Sequence, residues 1–371
     1  MALVPRIDAF LRLARERDCS DIHLTVGLPP LVRLDGELTQ LRYRELTRVE
    51  LDDLLHEILT ERHVQRLEER GSVDLSYRGE ETGRFRINVC RQILGMSAAC
   101  RVIPERMPFL DDLGLPSVIS RLTTAKAGLI LVTGSAGTGK STTLAAMIHA
   151  INASRSLNIL TLEDPIEFVH ENLSSQVIQR EVGMHVNSFA EGLRAGLRQD
   201  PDVILVGEMR DPETIALAIE ASETGQLVFG TLHTRGAYQT VHRIVDAFPT
   251  EGQPQVRQTL ADNLKCVVSH DLVRAADGRG RRAVAEIMVN TPAISQMIRE
   301  SKTFQIPQAI ATGRRFGMQL MDQALLLQVQ AGEIDPNDAY LRSTDRREFL
   351  RFVTETELLQ LVEQSVLRKA G

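Results

Sequence analysis

One octapeptide restricts the fold more than any other stretch of the chain. Gly134-Ser135-Ala136-Gly137-Thr138-Gly139-Lys140-Ser141 fits the pattern G-x-x-x-x-G-K-[ST] at every fixed position, and Thr142 follows it directly. An apolar run over 129–133 precedes the motif, and a helical pattern over 140–151 comes after it. Strand, glycine-rich loop and helix in that order turn backbone N–H groups inward around a phosphate. Glycine permits the wrapping, and the helix N-terminus adds partial positive charge. Lys140 is placed to reach the β- and γ-phosphates, and the Ser141 hydroxyl to ligate Mg²⁺. In a chain of 371 residues, a chance match arises roughly once in a hundred sequences. ATP and Mg²⁺ are therefore the expected ligands.

The pattern around this motif predicts an α/β domain over 123–290. Apolar runs at 129–133, 159–162, 203–206 and 227–230 alternate with helical stretches, among them 211–223, which ends at Gly225. Ser188-Phe-Ala-Glu191 reads as a capping box. Fully apolar strands alternating with helices imply a parallel sheet covered on both faces. Thr291-Pro292 fits the start of a helix, and the pattern stays helical through 291–371. Residues 1–110 read differently, as a small antiparallel sheet backed by helices in the order β-β-β-α-β-β-β. Ile7, Phe10, Leu11 and Ala14 share one face of a first helix. Thr47-Arg-Val-Glu50 reads as a capping box opening a second, with Leu51, Leu54, Leu55 and Ile58 inward. Pro104-Glu-Arg-Met-Pro108 breaks the pattern, and residues 111–122 read as a short hinge-like linker.

Composition excludes several classes. Hydrophobic residues at 43% and charged residues at 25% argue against disorder. The apolar runs are too short to span a bilayer, and the N-terminus lacks a signal-peptide layout. Cys19, Cys90, Cys100 and Cys266 form no CxxC pair, which fits free thiols in a reducing cytosol and excludes a cysteine-rich zinc module. A net charge of −6, 4% aromatics and no Trp argue against a nucleic-acid partner and against a DNA-handling ATPase. No basic amphipathic helix is evident, so membrane contact is expected to be indirect.

A phosphate loop needs carboxylates at neighbouring strand ends, where ligands bind in open α/β sheets. The run 203–206 continues into Gly207-Glu208, and the run 159–162 into Glu163-Asp164. Glu208 and Glu163 are thus candidates for handling Mg²⁺ and the attacking water, against the plainer alternative of solvated loop residues.

These motifs together are similar to those of the type II/IV secretion ATPase superfamily. Leu162-Glu-Asp-Pro-Ile-Glu-Phe-Val-His170 resembles its Asp box, and Asp200-Pro-Asp-Val-Ile-Leu-Val-Gly-Glu-Met-Arg-Asp211 its variant Walker B segment. Leu227-Val-Phe-Gly-Thr-Leu-His233-Thr, running on to Val241-His-Arg-Ile-Val-Asp-Ala-Phe-Pro249, resembles its His box. Ser20-Asp-Ile-His-Leu24, Gly27-Leu-Pro-Pro30 and Arg33-Leu-Asp-Gly36 resemble its N-terminal module, and Gly317-Met-Gln-Leu-Met-Asp-Gln323 a signature of the pilus-retraction branch. The resemblance spans about residues 5–330. The absence of CxxC pairs favours that branch over the extension motors, which carry a tetracysteine zinc site.

The resemblance implies a PAS-like N-terminal α+β domain, a RecA-like P-loop ATPase domain and a C-terminal helical region, assembled as a homo-hexamer. It implies a cytoplasmic motor, peripheral at the inner-membrane pilus base, acting on the pilus platform protein. ATP hydrolysis there drives retraction of a type IV pilus. Glu208 corresponds to the Walker B glutamate and Glu163 to the Asp-box acid, and either is open as the general base. His233 corresponds to a residue near the γ-phosphate, with a satisfied core histidine as the alternative. Arg86 and Arg101 correspond to arginines that reach the γ-phosphate across a subunit boundary, with exposed sheet arginines as the alternative. Two departures stand out. Gln226 replaces a histidine after Thr224-Gly225, and Ala293-Ile-Ser-Gln-Met-Ile-Arg-Glu300 carries Ser295 and Gln296 where the branch has Arg and Asn. They motivate a second reading, an accessory ATPase that modulates a paralogous principal motor.

Overall fold

Two sheets with different hydrophobic patterns organise the chain. The structure, a computed structural model, describes residues 6–34, 37–103 and 106–354. These form two compact units, one running to Arg106 and including Glu167–Val169, the other holding Met107–Ile166 and the chain from His170 onward.

The first unit contains β1 (Asp21–Thr25), β2 (Leu31–Leu34), β3 (Glu37–Gln40), β4 (Ser72–Gly79), β5 (Gly83–Gln92) and β6 (Gly95–Val102). They pair antiparallel in the order β3-β2-β1-β6-β5-β4. On β5, Phe85, Ile87 and Val89 are buried while Arg84, Arg86 and Asn88 are half-buried, the alternation of a sheet with one face on a core. Leu11, Leu51, Leu54, Leu55 and Leu67, from helices Asp8–Glu16, Arg48–His56 and Glu61–Arg70, share that core with Ile22, Phe85 and Ile87. The strand order is the expected one, except that the single helix between the strand triplets is two. The capping box expected at 47–50 is half formed. The Thr47 hydroxyl accepts the Glu50 N–H at 3.3 Å, but the Glu50 carboxylate is held by both terminal nitrogens of Arg44, at 2.6 and 2.7 Å.

The second unit contains β7 (Gly128–Thr133), β8 (Asn158–Glu163), β9 (Gln176–Glu181), β10 (Val203–Val206), β11 (Leu227–Leu232), β12 (Leu264–Arg274) and β13 (Arg281–Val289), in the order β13-β12-β7-β11-β10-β8-β9. Every position of β7, β10 and β11 is buried, as a sheet covered on both faces requires. One face packs Leu129, Leu131 and Val228 against helices Phe189–Gly196, Pro212–Glu223, Ala237–Asp246 and Gln253–Asn263. The other packs Ile130, Val132 and Phe229 against helix Lys140–Ser154.

This is the antiparallel-then-parallel architecture expected from the sequence, with corrections. The parallel reading holds for six strands, while β13 turns back antiparallel on β12. Residues 111–122, expected as a linker, carry helix Val118–Leu122, and its Val118 and Ile119 lie in the same core as Ile130 and Val132. Apolar anchorage makes this stretch part of the second unit. The C-terminal region is helical as expected over Pro292–Arg299, Ile306–Thr312, Met321–Ala331 and Pro336–Arg342. Its last residues, 355–371, lie outside the described ones.

Candidate nucleotide site

Register places the candidate residues along one edge. Thr133 pairs with Leu232, Val206 with Gly230, and Val206 with Leu162. The C-terminal ends of β7, β11, β10 and β8 therefore lie side by side, and from them emerge the glycine-rich loop, His233, Gly207-Glu208 and Glu163. This is the edge at which open α/β sheets bind ligands.

The loop closes on the strand beside it. At Gly134, with φ of 139°, a Cβ would come within 2.5 Å of the His270 carbonyl oxygen, a backbone atom of β12 with no freedom to move aside. Gly139, with φ of 92°, caps helix Lys140–Ser154, so the first-turn N–H groups face the loop. The Lys140 Nζ donates to the Gly134 carbonyl at 2.9 Å and to the Ser135 carbonyl at 2.8 Å. The Thr138 hydroxyl donates to the same Ser135 carbonyl at 2.9 Å. Ala136 and Gly137 form the exposed tip. Ser141 and Thr142 open the helix, and among the described residues the exposed Ser141 hydroxyl has no partner.

The acids are held rather than loose. Glu208 Oε1 lies 3.1 Å from His233 Nε2 and also pairs with the Arg210 guanidinium. Its side chain is only 17% exposed. The Thr231 hydroxyl donates to the Gly207 carbonyl, tying the end of β10 to β11. Glu163 Oε1 accepts the Thr161 hydroxyl at 2.6 Å and Gln179 Nε2 at 3.0 Å. Neither carboxylate has the surroundings of a solvated loop residue, and His233 is exposed rather than a core histidine.

Arg86 and Arg101 belong to the first unit and are cross-strand partners on β5 and β6. Arg86 lies 3.7 Å from Asp74, and Arg101 donates to Asp21 at 2.9 Å. Burial alone would raise the Asp21 carboxyl, but hydrogen bonds from Arg101 and Ser20 hold it below the usual carboxylate range. Gln226 sits at the start of β11, where its carbonyl accepts the Gly128 N–H and its side chain meets Thr224. That is the edge opposite the loop, six residues of strand away, or about 20 Å. Ser295 donates to the Ala261 carbonyl at 2.9 Å, and Gln296 to Glu300.

Sequence reasoning passed over three contributors: Arg210, Arg235 and His270. Arg210 lies in the quoted Walker B segment and was legible in principle. Arg235 donates to the Ser135 hydroxyl at 3.1 Å from a hundred positions away, which no local pattern signals. His270 is buried beside the loop with both ring nitrogens unpartnered among the described residues. Burial, reinforced by the Lys140 charge, lowers its pKa to about 4.

A nucleotide-wrapping loop at a helix N-terminus, beside two fixed carboxylates at a parallel-sheet edge, defines a P-loop ATPase. The chain belongs to the type II/IV secretion system protein family, whose model matches residues 2–334. It is 44% identical over 333 residues to the type IV pilus retraction ATPase PilT of Pseudomonas aeruginosa, covering 90% of this chain and 96% of that one. The type IV pilus ATPase PilU of the same organism is 36% identical over 334 residues, with 90% and 87% covered. A crystal structure of the pilus retraction motor PilT with bound ADP superposes with a TM-score of 0.86 at 45% identity, over 92% of this chain and 98% of that one. No helix among the described residues is long and apolar enough to cross a membrane.

The neutral state of His270 has a consequence for stability. Its folded pKa near 4 lies below the ordinary histidine value, so between pH 4 and 6.5 the unfolded chain binds the extra proton. The stability it contributes is present above pH 6.5 and is lost as pH falls towards 4. Between pH 7.5 and 5 the loss from this one group is about 2 kcal/mol. His270→Gln should flatten that part of the unfolding-versus-pH profile, measured by denaturant titration at a series of pH values. An unchanged profile would show that His270 does not titrate as its surroundings dictate.

Proposed function

We propose that the chain is a motor subunit that hydrolyses ATP to retract a type IV pilus. The observation carrying this reading is the Glu208–His233 pair beside the glycine-rich loop, in a chain that matches a pilus retraction ATPase along nearly its whole length. Residues 134–142 hold the phosphates, with Lys140 at the β/γ end. Ser141 and Glu208 offer a hydroxyl and a carboxylate, oxygen donors of the kind Mg²⁺ prefers, and the Ser141 hydroxyl is exposed to take that role. Mg²⁺ bound there would screen the phosphate charge. Glu208 and Glu163 orient the attacking water, one of the two taking its proton, and His233 positions Glu208 through their 3.1 Å contact.

Arg86 and Arg101 serve in this reading as groups supplied by a neighbouring subunit, which neutralise charge on the γ-phosphate. Such arginines raise turnover by about 10³-fold or more. A homo-hexamer, docked in the cytoplasm on the inner-membrane pilus platform, is the assembly in which each site is completed this way. The accessory reading rested on Gln226, Ser295 and Gln296. Gln226 lies across the sheet from the loop, and the other two are engaged in helix contacts, while similarity to PilT exceeds that to PilU. These observations favour the principal-motor reading.

Lys140→Ala should abolish steady-state ATPase activity while leaving assembly, measured by size-exclusion chromatography with light scattering, intact. Normal turnover in that variant would remove the site assignment. Mixing inactive Glu208→Gln subunits with inactive Arg86→Ala subunits should restore part of the activity, since some interfaces then hold an intact glutamate facing an intact arginine. Absence of rescue at every ratio would count against the trans role. Deleting the gene in its native host should give cells that are hyperpiliated and do not twitch. Normal surface piliation would return the chain to the accessory class.

A further inference from the structure

A second cation reaches the phosphate loop from far along the chain. Arg235 follows His233 by two residues, and its Nε donates to the Ser135 Oγ at 3.1 Å. The side chain is exposed, and its two terminal amino groups have no hydrogen bond or ion pair with any described residue. The backbone carrying it is fastened. The Gly236 N–H donates to the Ser269 hydroxyl at 2.8 Å, and the Ala237 N–H to Glu286 Oε1 at 2.8 Å. The Thr240 hydroxyl donates to the Gly236 carbonyl at 2.8 Å and lies 2.7 Å from the Thr234 hydroxyl. Glu286 pairs with Ser269 across β13 and β12, and Ser269 pairs with Thr133 on β7. The arginine is thus anchored to the same row of the sheet that ends in the phosphate loop.

Ser135 indicates which phosphate this arginine meets. The Lys140 ammonium, which in such loops serves the β- and γ-phosphates, is bonded to the Ser135 carbonyl. Ser135 therefore marks the β/γ end of the loop, and a guanidinium held on its hydroxyl stands at the terminal phosphate. A planar fork of N–H donors matches phosphate oxygens as an ammonium does not.

We propose that Arg235 is a catalytic residue supplied by the same subunit that binds the nucleotide, its guanidinium contacting the γ-phosphate. The proposal rests on the nucleotide site assigned above to residues 134–142. Water attacks the γ-phosphorus, the bond from that phosphorus to the β–γ bridging oxygen breaks, and ADP and inorganic phosphate leave. The proton of the water passes to a carboxylate, and Arg235 keeps its own proton while stabilising charge on the departing phosphoryl group.

The test compares Arg235→Ala, Arg235→Gln and Arg235→Lys with the unaltered full-length protein. It reads affinity for Mg-ADP and for Mg-AMP-PNP, together with kcat and KM for ATP. ADP affinity should stay unchanged while AMP-PNP affinity falls about tenfold or more. The kcat of the Ala and Gln variants should fall by about ten- to a thousandfold. Lysine, which keeps the charge without the fork, should recover part of the AMP-PNP affinity. Glutamine retains a donor for Ser135 and carries the test if alanine disturbs the loop. An equal loss for both nucleotides, or no loss for either, overturns the proposal. Lys140→Ala separates the two readings. Normal turnover in that variant defeats the site itself, whereas an inactive Lys140→Ala beside fully active Arg235 variants defeats Arg235 alone.

Discussion

The parallel hydrogen-bond register of β7, β11, β10 and β8 is the constraint on which the site depends. Parallel strands point the same way, so their C-terminal ends share an edge, and each connection leaves from that edge. Residues far apart in the chain, Lys140, Glu163, Glu208 and His233, come together there because Thr133, Leu162, Val206 and Leu232 are neighbours in register. A slip of one residue in β10 would turn its side chains to the opposite face. Burial of β7, β10 and β11 on both faces, with the glycine-only approach of Gly134 to β12, holds these strand ends in place.

Charges of both signs gather at that edge. The helix N-terminus, Lys140 and Arg235 supply positive potential at the loop, and Glu208 and Glu163 stand at the ends of neighbouring strands. Lys140 is bonded to two carbonyl oxygens, which orient the ammonium without neutralising it. Beneath the loop His270 stays neutral, because burial and the Lys140 charge both oppose its protonation. Glu208 is handled differently. Arg210 and His233 both engage its Oε1, which holds the carboxylate in one orientation at the strand end.

Much of this was legible in the sequence because the signals were local. The phosphate loop carries its own glycines, and fully apolar strands such as 203–206 have no ambiguity of face. The alternating Phe85 and Ile87 likewise put Arg86 on the outward face of its sheet. What escaped was set by distant partners. β12 mixes Lys265, Ser269, His270 and Asp271 with apolar residues, and β13 opens on Arg281 and Arg282, so neither reads as a buried strand. Their pairing with each other supplies the missing order. Helix Val118–Leu122 is five residues long, too short for a periodic signal, and it exists because Val118 and Ile119 fill a face of the sheet. Arg235 could not be found at all by spacing, since its partner lies a hundred residues earlier.

The departures from the retraction-branch pattern gain a physical reading from the same geometry. Gln226 directly precedes β11, and Gly128, whose N–H its carbonyl receives, begins β7. Helix Pro292–Arg299 follows Val289, which pairs with Cys266 near the start of β12, so Ser295 and Gln296 lie towards that starting edge as well. Ser295 ties this helix to the Ala261 carbonyl and to Asn290, and Arg299 pairs with Asp262, so the substitutions bear on how two helices pack. The candidate site occupies one edge of the sheet and these substitutions the other, separated by the length of strands buried on both faces. A change at the starting edge reaches the phosphates only by shifting a strand along its neighbours, which buried side chains on both faces oppose. Ser295 and Gln296 therefore act on the packing and surface of the helix that carries them, at the edge away from the phosphate loop.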